Sequence, residues 1–493
     1  MRISKHTKRL IIYSISLILS FSFPLKAYAD EAVDYEAMAE ARKLLPISSN
    51  SITDWPQGPE ISAQAAILME AETGTILYAK NIDERLYPAS TTKILTCTLA
   101  MENCDLDEYV TFSKEAVNSV PWDGSKIGMD AGQSITMQEA LEAILVGSAN
   151  EVANAVAEHV AGSMDEFVVM MNKRVEDLGL TNTHFMNANG LYDDNHYTSA
   201  YDLAIIARDF FSYEMLCKIA RTPKVEFVAT DTQPDTFTIN SKNLLMEGKK
   251  YAYEPLVGSK TGYTDKARQT LVSCARKNGM ELICVVLMEE SPSQFEDTVT
   301  LFEYGFNNFT KETIEGNELS FNSDNSGFFD TKTDIFGNST ELLALNADSG
   351  IILPNEKTFN DLEMKVIYDS DNINSVARAE YYFNGNKVGY ANIVLNSETT
   401  DIFDSSSSVS DQVSVSDDEE KPTPVTNLDG KSVFINLKIV FICLLVFVVL
   451  VTAVLLVLKK IQIQKRKIKK KKKAENKDRE RYYRSSHHKN FKL

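Results

Sequence analysis

The sequence predicts an α+β fold, in which a helical cluster packs on an antiparallel sheet, followed by a small all-β domain and one C-terminal transmembrane helix. Strand-like runs stand at both ends of residues 65–309, and amphipathic helical patterns fill the middle. From about residue 311, short β-rich runs alternate with Asn, Asp and Gly and include the hairpin signal Asn384-Gly385. Ile439–Leu458 is an uncharged apolar run of 20 residues, the length of a membrane-spanning helix.

The elements of the first region follow from hydrophobic periodicity. Ala65–Glu70 and Thr75–Lys80 flank the turn signal AETG and predict a strand hairpin. A second hairpin is predicted around Asn278-Gly279, with strands at Leu271–Ala275 and Leu282–Glu289. Helical spacing predicts helices at about Ser90–Glu102 and Met164–Leu178, from about Ser199, and at Phe295–Phe309. It also predicts a helical region over Met137–Val160.

Composition divides the 493 residues into segments, since a chain of this length exceeds one ordinary core. A first folded domain is expected at residues 45–310 and the small β domain at 311–400. Residues 401–432 are rich in Ser, Asp and Glu and have almost no large apolar side chains, which predicts a disordered stalk. The other expected segments are a leader at 1–29, a transmembrane helix at 433–458 and a basic tail at 459–493.

Both ends of the chain carry targeting signals. An apolar run of about 14 residues follows four basic residues, and Ala27-Tyr28-Ala29 then has the form of a signal peptidase site. We expect cleavage after Ala29, the alternative being an uncleaved anchor. The tail from Lys459 has 16 Lys and Arg against 3 acidic residues, which keeps it cytoplasmic. We therefore expect a single-pass cell-membrane protein with residues 30–438 outside and the tail on the anionic inner leaflet.

Charge is divided unevenly along the chain. The net charge is −18, but the tail carries +13 and the leader +5, which leaves −36 for residues 30–458. A strongly acidic exported region disfavours nucleic acid as a partner, because both would be anionic.

The cysteines form no evident disulfide framework. Cys97 and Cys104 stand seven residues apart on a predicted helix, which places their backbones roughly 10 Å apart, too far for a disulfide. Cys274 and Cys284 flank the predicted second hairpin, and whether they pair stays open.

Metal-binding patterns are also missing. The sequence has no CxxC spacing, and its six histidines form no HExxH motif. We therefore expect no metal site, and structural roles for His184 and His196.

The stretch Ser90-Thr91-Thr92-Lys93 allows two interpretations. Ser90 is either the polar residue that begins a helix or a nucleophile with Lys93 as its base, one helical turn away on the same face. A lysine acts as a base only when its pKa is lowered, and burial or a second cation lowers it. The motif alone is weak, since Ser486-His487-His488-Lys489 in the tail matches it too.

Two further motifs strengthen the nucleophile interpretation. Ser148-Ala149-Asn150 follows Ser90 by 58 residues, and Lys260-Thr261-Gly262 begins 112 residues after Ser148. Other Ser-x-Asn runs exist in the chain, so this motif is weak when taken alone. The order Ser-x-x-Lys, Ser-x-Asn, Lys-Thr-Gly is the active-site set of the penicillin-interacting serine enzymes.

Each motif residue has a chemical role that suits acyl transfer. Ser90 would attack an amide carbonyl, Lys93 would accept its proton, and Ser148 would relay a proton to the leaving amine. Asn150 would hold Lys93 and the substrate amide. Lys260 would lower the pKa of Lys93 and, with Thr261, attract a substrate carboxylate. Gly262 would let substrate lie as an added strand, and the N–H groups of Ser90 and Tyr263 would form an oxyanion hole.

On these motifs, residues 40–400 resemble the serine-type D-alanyl-D-alanine carboxypeptidases, the low-molecular-weight penicillin-binding proteins of peptidase family S11. The segments NANGLYDDNHYTSAYDLAIIAR and GSKTGYTDKARQTLVSCARKNG resemble the family as well. The resemblance implies a β-lactamase/transpeptidase-like catalytic domain at 45–310. It also implies removal of the terminal D-Ala from peptidoglycan pentapeptide stems without a cofactor, and covalent inhibition by β-lactams. The uninterrupted span departs from relatives that end in an amphipathic helix.

Two alternatives share the motif set. A β-lactamase of the main soluble class needs a Glu-x-x-Leu-Asn run, and none lies between Asn150 and Lys260. A non-catalytic β-lactam sensor would signal through the tail, which has no readable catalytic motif. The three activities differ in how fast the Ser90 acyl bond is hydrolysed.

Overall fold

The computed structural model describes residues 34–314, 343–345, 350–368 and 375–395. The predicted leader, stalk, transmembrane helix and tail lie outside these residues. Among the residues that are described, no helix is long and apolar enough to cross a membrane.

The helices of residues 34–314 are largely those that periodicity predicts. They are α1 (Tyr35–Lys43), α2 (Lys93–Asn103), α3 (Lys114–Asn118), α4 (Met137–Val146), α5 (Asn150–Ala161), α6 (Met164–Asp177), α7 (Ala200–Ser212), α8 (Glu214–Ala220) and α9 (Ser293–Asn308). Short 3₁₀ turns cover Ser48–Ser51 and Ala89–Thr92.

The strands of the same region form one large sheet and two small ones. They are β1 (Ala65–Glu70), β2 (Ile76–Lys80), β3 (Tyr109–Thr111), β4 (Ser134–Thr136), β5 (Lys224–Phe227), β6 (Phe237–Asn240), β7 (Leu256–Thr264), β8 (Arg268–Lys277) and β9 (Met280–Glu289). The large antiparallel sheet has the order β2-β1-β9-β8-β7, so β7 is an edge strand. Both predicted hairpins are confirmed.

The large sheet is covered on both faces. Alternate residues of β1 enter two separate cores: Ile67 packs with the helices α2 and α4–α8, and Leu68 packs with α9 on the other face. This explains why all six residues of β1 are buried. The arrangement is the predicted helical cluster on an antiparallel sheet, with one helix added on the opposite face.

The same alternation answers the question about Cys274 and Cys284. Cys274 belongs to the core under the helical cluster, whereas Cys284 belongs to the core under α9. Their side chains therefore point to opposite faces of the sheet and cannot form a disulfide. The five cysteines of the described residues are all free.

The helical region predicted over Met137–Val160 is helical in the structure, but it is divided into α4 and α5. The break is Gly147-Ser148-Ala149, and Ser148 has the left-handed φ of +58° that a helix cannot contain. A capping box of Thr136 and Glu139 begins α4. The apolar residues keep their helical spacing across the break, so the sequence pattern does not reveal where α4 ends.

The β-rich region beyond residue 311 contains a second antiparallel sheet. Its strands are β10 (Phe309–Thr313), β11 (Leu343–Leu345), β12 (Gly350–Pro354), β13 (Glu363–Ile367), β14 (Ala377–Phe383) and β15 (Asn386–Leu395). The order is β10-β12-β15-β14-β13, with β11 also paired to β15. Asn384-Gly385 joins β14 to β15 with φ of +47° and +81°, which confirms the predicted hairpin turn.

Helix α1 precedes the predicted start of the first domain at residue 45. Arg42 Nη1 donates to the carbonyl oxygen of Met288 at 2.6 Å, and Arg42 Nη2 forms an ion pair with Glu290 at 3.1 Å. Arg268 binds the same carboxylate at 2.7 Å. These bonds attach α1 to the end of β9, so the folded region begins before residue 45.

A buried pair of carboxyl groups, Glu289 and Asp297, lies beside this contact. Ser62 Oγ donates to Glu289 Oε1 at 2.5 Å, and the Ser62 N–H donates to Asp297 Oδ2 at 2.8 Å. Burial, and then the neighbouring Asp297, raise the pKa of Glu289 well above its ordinary value. Burial also raises the pKa of Asp297. The pair is therefore most stable when it carries a proton.

The change Glu289→Gln tests this pair. A group whose pKa is raised on folding stabilises the fold below its unfolded pKa of 4.5, and that stabilisation is lost as the pH rises through the folded pKa. Gln cannot ionise, so we expect this variant to unfold at a higher temperature than the wild type at pH 8. The shift should be roughly 2–4 °C for each kcal/mol by which ionisation of Glu289 lowers the free energy of unfolding. At pH 4 the two proteins should melt alike. Thermal unfolding followed by circular dichroism measures both.

A matched control is Glu303→Gln, because Tyr253 and burial shift the pKa of Glu303 in opposite directions with a net lowering. That variant should lose stability at pH 8. Equal destabilisation of both variants at pH 8 would contradict the account of Glu289.

Candidate active site

Ser90 lies in the 3₁₀ turn Ala89–Thr92 that leads into α2. Thr92, not Ser90, is the N-cap of α2, so the expectation that Ser90 begins this helix is wrong. Ala89 has a left-handed φ of +50°, a strained conformation for a residue with a side chain. The carbonyl oxygen of Pro88 holds the turn by accepting from Thr91 Oγ1 at 2.7 Å and Thr270 Oγ1 at 2.8 Å.

Lys93 is fully buried and its amine joins three partners. Nζ lies 2.9 Å from Ser90 Oγ and 2.7 Å from Asn150 Oδ1, and it also contacts the carbonyl oxygen of Asn189. The two amide oxygens can only accept. A neutral amine therefore gives its two N–H groups to Asn150 and Asn189 and keeps its lone pair for the Ser90 hydroxyl.

The electrostatics favour this neutral form. Burial, and then the nearby Lys260, lower the pKa of Lys93 well below its ordinary value. Lys260 is itself buried, and burial lowers its pKa to about 7. Lys260 is thus the second cation expected near Lys93.

Ser148 and Lys260 form the second half of the site. Ser148 stands in the left-handed conformation between α4 and α5, and its Oγ accepts from Lys260 Nζ at 3.0 Å. Lys260 also donates to the carbonyl oxygen of Thr261 at 2.8 Å. Asn150 is the first residue of α5, so the helix break positions Ser148 and Asn150 together.

Strand β7 lies against the Ser90 turn along the edge of the large sheet. A Cβ added to Gly262 would lie 2.9 Å from the Ser90 nitrogen and 2.3 Å from Thr270 Oγ1. Only glycine fits this approach. The strand alternates, so Lys260 and Gly262 are buried while Thr261 is half-buried and Tyr263 is exposed.

Asn189 and Gly190 belong to the site and were not predicted. Asn189 supplies the carbonyl oxygen that contacts Lys93, and its Nδ2 donates to Asn154 Oδ1 at 2.8 Å. Gly190 has φ of +82°, and a Cβ there would lie 1.9 Å from the Ala89 oxygen. The run NANGL predicts a turn, but a backbone carbonyl leaves no signal in a sequence.

His196 is buried and supports the Ser90 turn, as the structural role predicted for it requires. The Met186 N–H donates to His196 Nδ1 at 3.0 Å, so the proton stands on Nε2, which donates to Thr92 Oγ1 at 2.8 Å. Burial lowers the pKa of His196 to about 3, which keeps the ring neutral. The ring is therefore a positioning group.

Glu151 is a second positioning residue that was not predicted. It is fully buried next to Asn150, and its Oε1 accepts from the N–H groups of Ile127 at 2.7 Å and Gly128 at 2.9 Å. The Asn150 N–H donates to the Ser125 carbonyl oxygen at 2.9 Å. These bonds hold the loop 121–128 over the start of α5.

Candidate metal ligands lie away from these residues. In the described part of the chain, one group of three such side chains comes together. It consists of Cys104, Glu108 and His159, and it lies at the opposite end of α2 from Lys93.

Comparisons with known proteins agree with the motifs. The family model described as D-alanyl-D-alanine carboxypeptidase, Peptidase_S11, matches residues 52–291. The chain is similar to the D-alanyl-D-alanine carboxypeptidase DacF of Bacillus subtilis, at 37% identity over 50% of this chain and 63% of that one. It is also similar to DacA of Haemophilus influenzae, at 34% identity over 53% of this chain and 67% of that one.

A solved structure extends the likeness to the fold. Penicillin binding protein 5 from Haemophilus influenzae matches with a TM-score of 0.54 and 26% identity, over 69% of this chain and 98% of that one. The match covers more of the chain than the family model does, and it supports the predicted penicillin-binding, transpeptidase-like α+β fold. Taken with the motif geometry and the relatives, it identifies the chain as a member of the D-alanyl-D-alanine carboxypeptidase family, peptidase S11.

Proposed function

We propose that this protein is a serine carboxypeptidase that removes the terminal D-Ala from peptidoglycan pentapeptide stems. The observation that carries the proposal is the buried Lys93 amine, 2.9 Å from Ser90 Oγ and next to the cation of Lys260. Such an amine can take the serine proton at neutral pH. The family to which the chain belongs supplies the substrate class.

Acylation begins at Ser90. Its Oγ attacks the carbonyl carbon of the penultimate D-Ala as the hydroxyl proton passes to Lys93 Nζ. The carbonyl oxygen becomes an oxyanion, which the backbone N–H groups of Ser90 and Tyr263 stabilise.

Collapse of this intermediate breaks the C–N bond. The proton that Lys93 took from Ser90 passes through Ser148 Oγ, which Lys260 Nζ contacts at 3.0 Å, to the leaving amine, and D-Ala departs. The acyl group stays on Ser90 as an ester. A water molecule then attacks the ester carbonyl and gives a proton to the neutral Lys93 amine. The ester C–O bond breaks, Lys93 returns the proton to Ser90 Oγ, and the shortened stem is released.

Substrate binding uses the edge of β7. The stem peptide lies as an added strand beside Thr261 and Tyr263, because β7 has no neighbour on that side within the large sheet. The terminal carboxylate meets Lys260 and the Thr261 hydroxyl. Asn150 holds the substrate amide while it holds Lys93.

β-Lactams are proposed as covalent inhibitors by the same chemistry. Attack of Ser90 Oγ opens the lactam ring, but the leaving amine remains part of the acyl group. The similar solved structure is that of a penicillin-binding protein, which supports this expectation. Slow hydrolysis of the adduct would distinguish the carboxypeptidase from a β-lactamase, and D-Ala release would distinguish it from a sensor.

The proposed location is the outer face of the cell membrane. Residues 1–29 would direct export, residues 433–458 would span the bilayer and the basic tail would lie on the inner leaflet. The catalytic domain would then face the cell wall, where its substrate is found.

The first prediction concerns Ser90. Ser90→Ala removes the nucleophile, so D-Ala release from a pentapeptide should fall to the uncatalysed level. Ser486→Ala is the control, because Ser486 begins the other Ser-x-x-Lys run and should release D-Ala like the wild type. Normal release by Ser90→Ala would refute the mechanism, and an equal loss in both variants would show that the assay is not reporting this site.

A second prediction uses the contact of Gly190 with the Ser90 turn. In Gly190→Ala the new Cβ must displace the Ala89 carbonyl, which would otherwise lie 1.9 Å away. The second-order rate of penicillin acylation should fall by at least about tenfold, as expected for a small displacement of a reacting group.

The matched control is Gly179→Ala. Gly179 also has a left-handed φ, of +68°, but a Cβ there would have nothing within 4 Å. The control therefore carries the backbone strain without the collision and should acylate at nearly the wild-type rate. Equal rates for the two variants would contradict the positioning role of Gly190.

A third prediction concerns Lys260→Gln and pH. The neutral form of Lys93 is the base, so acylation rises as the pH passes upward through the Lys93 pKa. Lys260 lowers that pKa, so removing its charge should raise it and move this acid limb to higher pH. The maximal rate with penicillin should also fall roughly 10–100-fold, because a charged hydrogen bond to the carboxylate is lost.

The measurement is the acylation rate from pH 5 to pH 9. Lys277→Gln is the control, since Lys277 pairs with Glu303 at the far end of β8. It should keep the wild-type profile. An unchanged acid limb in Lys260→Gln would remove Lys260 from the proposed electrostatics.

A further inference from the structure

Three side chains of different chemistry meet at the C-terminal end of α2. The ligand atoms of Cys104, Glu108 and His159 all lie within 4.8 Å of one another. His159 Nε2 and Glu108 Oε2 are 2.8 Å apart. Thiolate, imidazole and carboxylate are the three donor types that zinc sites in proteins use.

The backbones that carry these side chains are held in place. Cys104 is the C-cap of α2, and its N–H donates to the Ala100 oxygen at 3.1 Å. The Glu108 carbonyl oxygen accepts from the Met137 N–H at 2.8 Å, and its carboxylate accepts from the Asp105 N–H at 2.6 Å. His159 is in the last turn of α5. Because the backbone is already held by these hydrogen bonds, an ion that binds here would have to immobilise only the three side chains.

Cys104 differs from the other cysteines of the described residues. Those four are buried, whereas Cys104 is half-buried beside an exposed carboxylate and a half-buried imidazole. An ion from solvent can therefore reach all three groups. An ordinary Glu108–His159 ion pair would explain the 2.8 Å contact, but it leaves the accessible thiol beside it unexplained.

We propose that Cys104 Sγ, Glu108 Oε2 and His159 Nε2 bind one Zn²⁺ ion, with water as the fourth ligand. Ligand atoms bound tetrahedrally at 2.0–2.3 Å stand roughly 3.3–3.8 Å apart, so rotation of the side chains suffices. The Glu108–His159 hydrogen bond opens as the ion enters. The thiol proton leaves to solvent and the imidazole proton moves to Nδ1 or also leaves, which frees the lone pairs that bind the metal.

The site has a structural role. Helices α2 and α5 pack together, and their first residues are Lys93 and Asn150. The proposed ion links the far ends of the same two helices, at Cys104 and His159, roughly 16 Å along α2 from Lys93. It therefore stabilises the pairing of the helices without taking part in the reaction, and it is independent of the proposed carboxypeptidase function.

The experiment titrates Co²⁺ into the full chain, purified in mild detergent and freed of metal with a chelator. We expect a thiolate-to-cobalt charge-transfer band that saturates at one equivalent and is displaced by Zn²⁺. Cys104→Ser should lose the band. His159→Ala should weaken Co²⁺ binding by at least about tenfold, since even partners outside the first coordination shell cost 10–100-fold.

Controls separate this site from other histidines and from misfolding. His184→Ala removes a half-buried histidine elsewhere and should titrate like the wild type. Zn²⁺ should raise the unfolding temperature of the wild type but not that of Cys104→Ser. The metal-free forms of both should melt alike; if Cys104→Ser fails to fold, Glu108→Gln at the exposed carboxylate tests the same site through the loss of affinity.

Two results would overturn the proposal. One is the absence of a charge-transfer band in the wild type. The other is a band of equal strength and affinity in Cys104→Ser or, where that variant does not fold, in Glu108→Gln.

Discussion

The Lys93 amine, buried between Ser90 and two amide oxygens, is the contact on which the rest of the site depends. Burial makes its charged form unfavourable, and Lys260 adds repulsion of like charge. The oxygens of Asn150 and Asn189 can accept only N–H groups, so they turn the remaining lone pair toward Ser90. A lysine exposed to water would keep its proton and could not serve as a base.

The fold supplies this environment from several directions at once. One turn of helix delivers Lys93 to Ser90, the start of α5 delivers Asn150, and the edge strand β7 delivers Lys260. Left-handed residues stand at Ala89 and Ser148, where strain is tolerated because the surroundings hold the backbone. Thr270, His196 and Gly190 make contacts of this kind around the Ser90 turn. The two cores on either face of the sheet keep these elements in register.

The sequence predicted the site's side chains better than its backbone. The motif residues Ser90, Lys93, Ser148, Asn150 and Lys260 were predicted from chemistry and order, and the structure brings them together. The break at Ser148 was not predicted, because apolar spacing continues through it. The Asn189 carbonyl was not predictable, since every residue has one. Helix α1 was not predicted, because it is attached to the domain by a long-range contact between Arg42 and the end of β9, which local sequence does not show.

The central claim is that Ser90 becomes acylated because Lys93 takes its proton. Peptide mapping by mass spectrometry, after the full chain has been treated with penicillin, tests this most directly. The account predicts one added penicillin mass, located on the peptide that contains Ser90 and stable enough to be isolated. An adduct on another residue, or none with a protein shown to be folded, would contradict it.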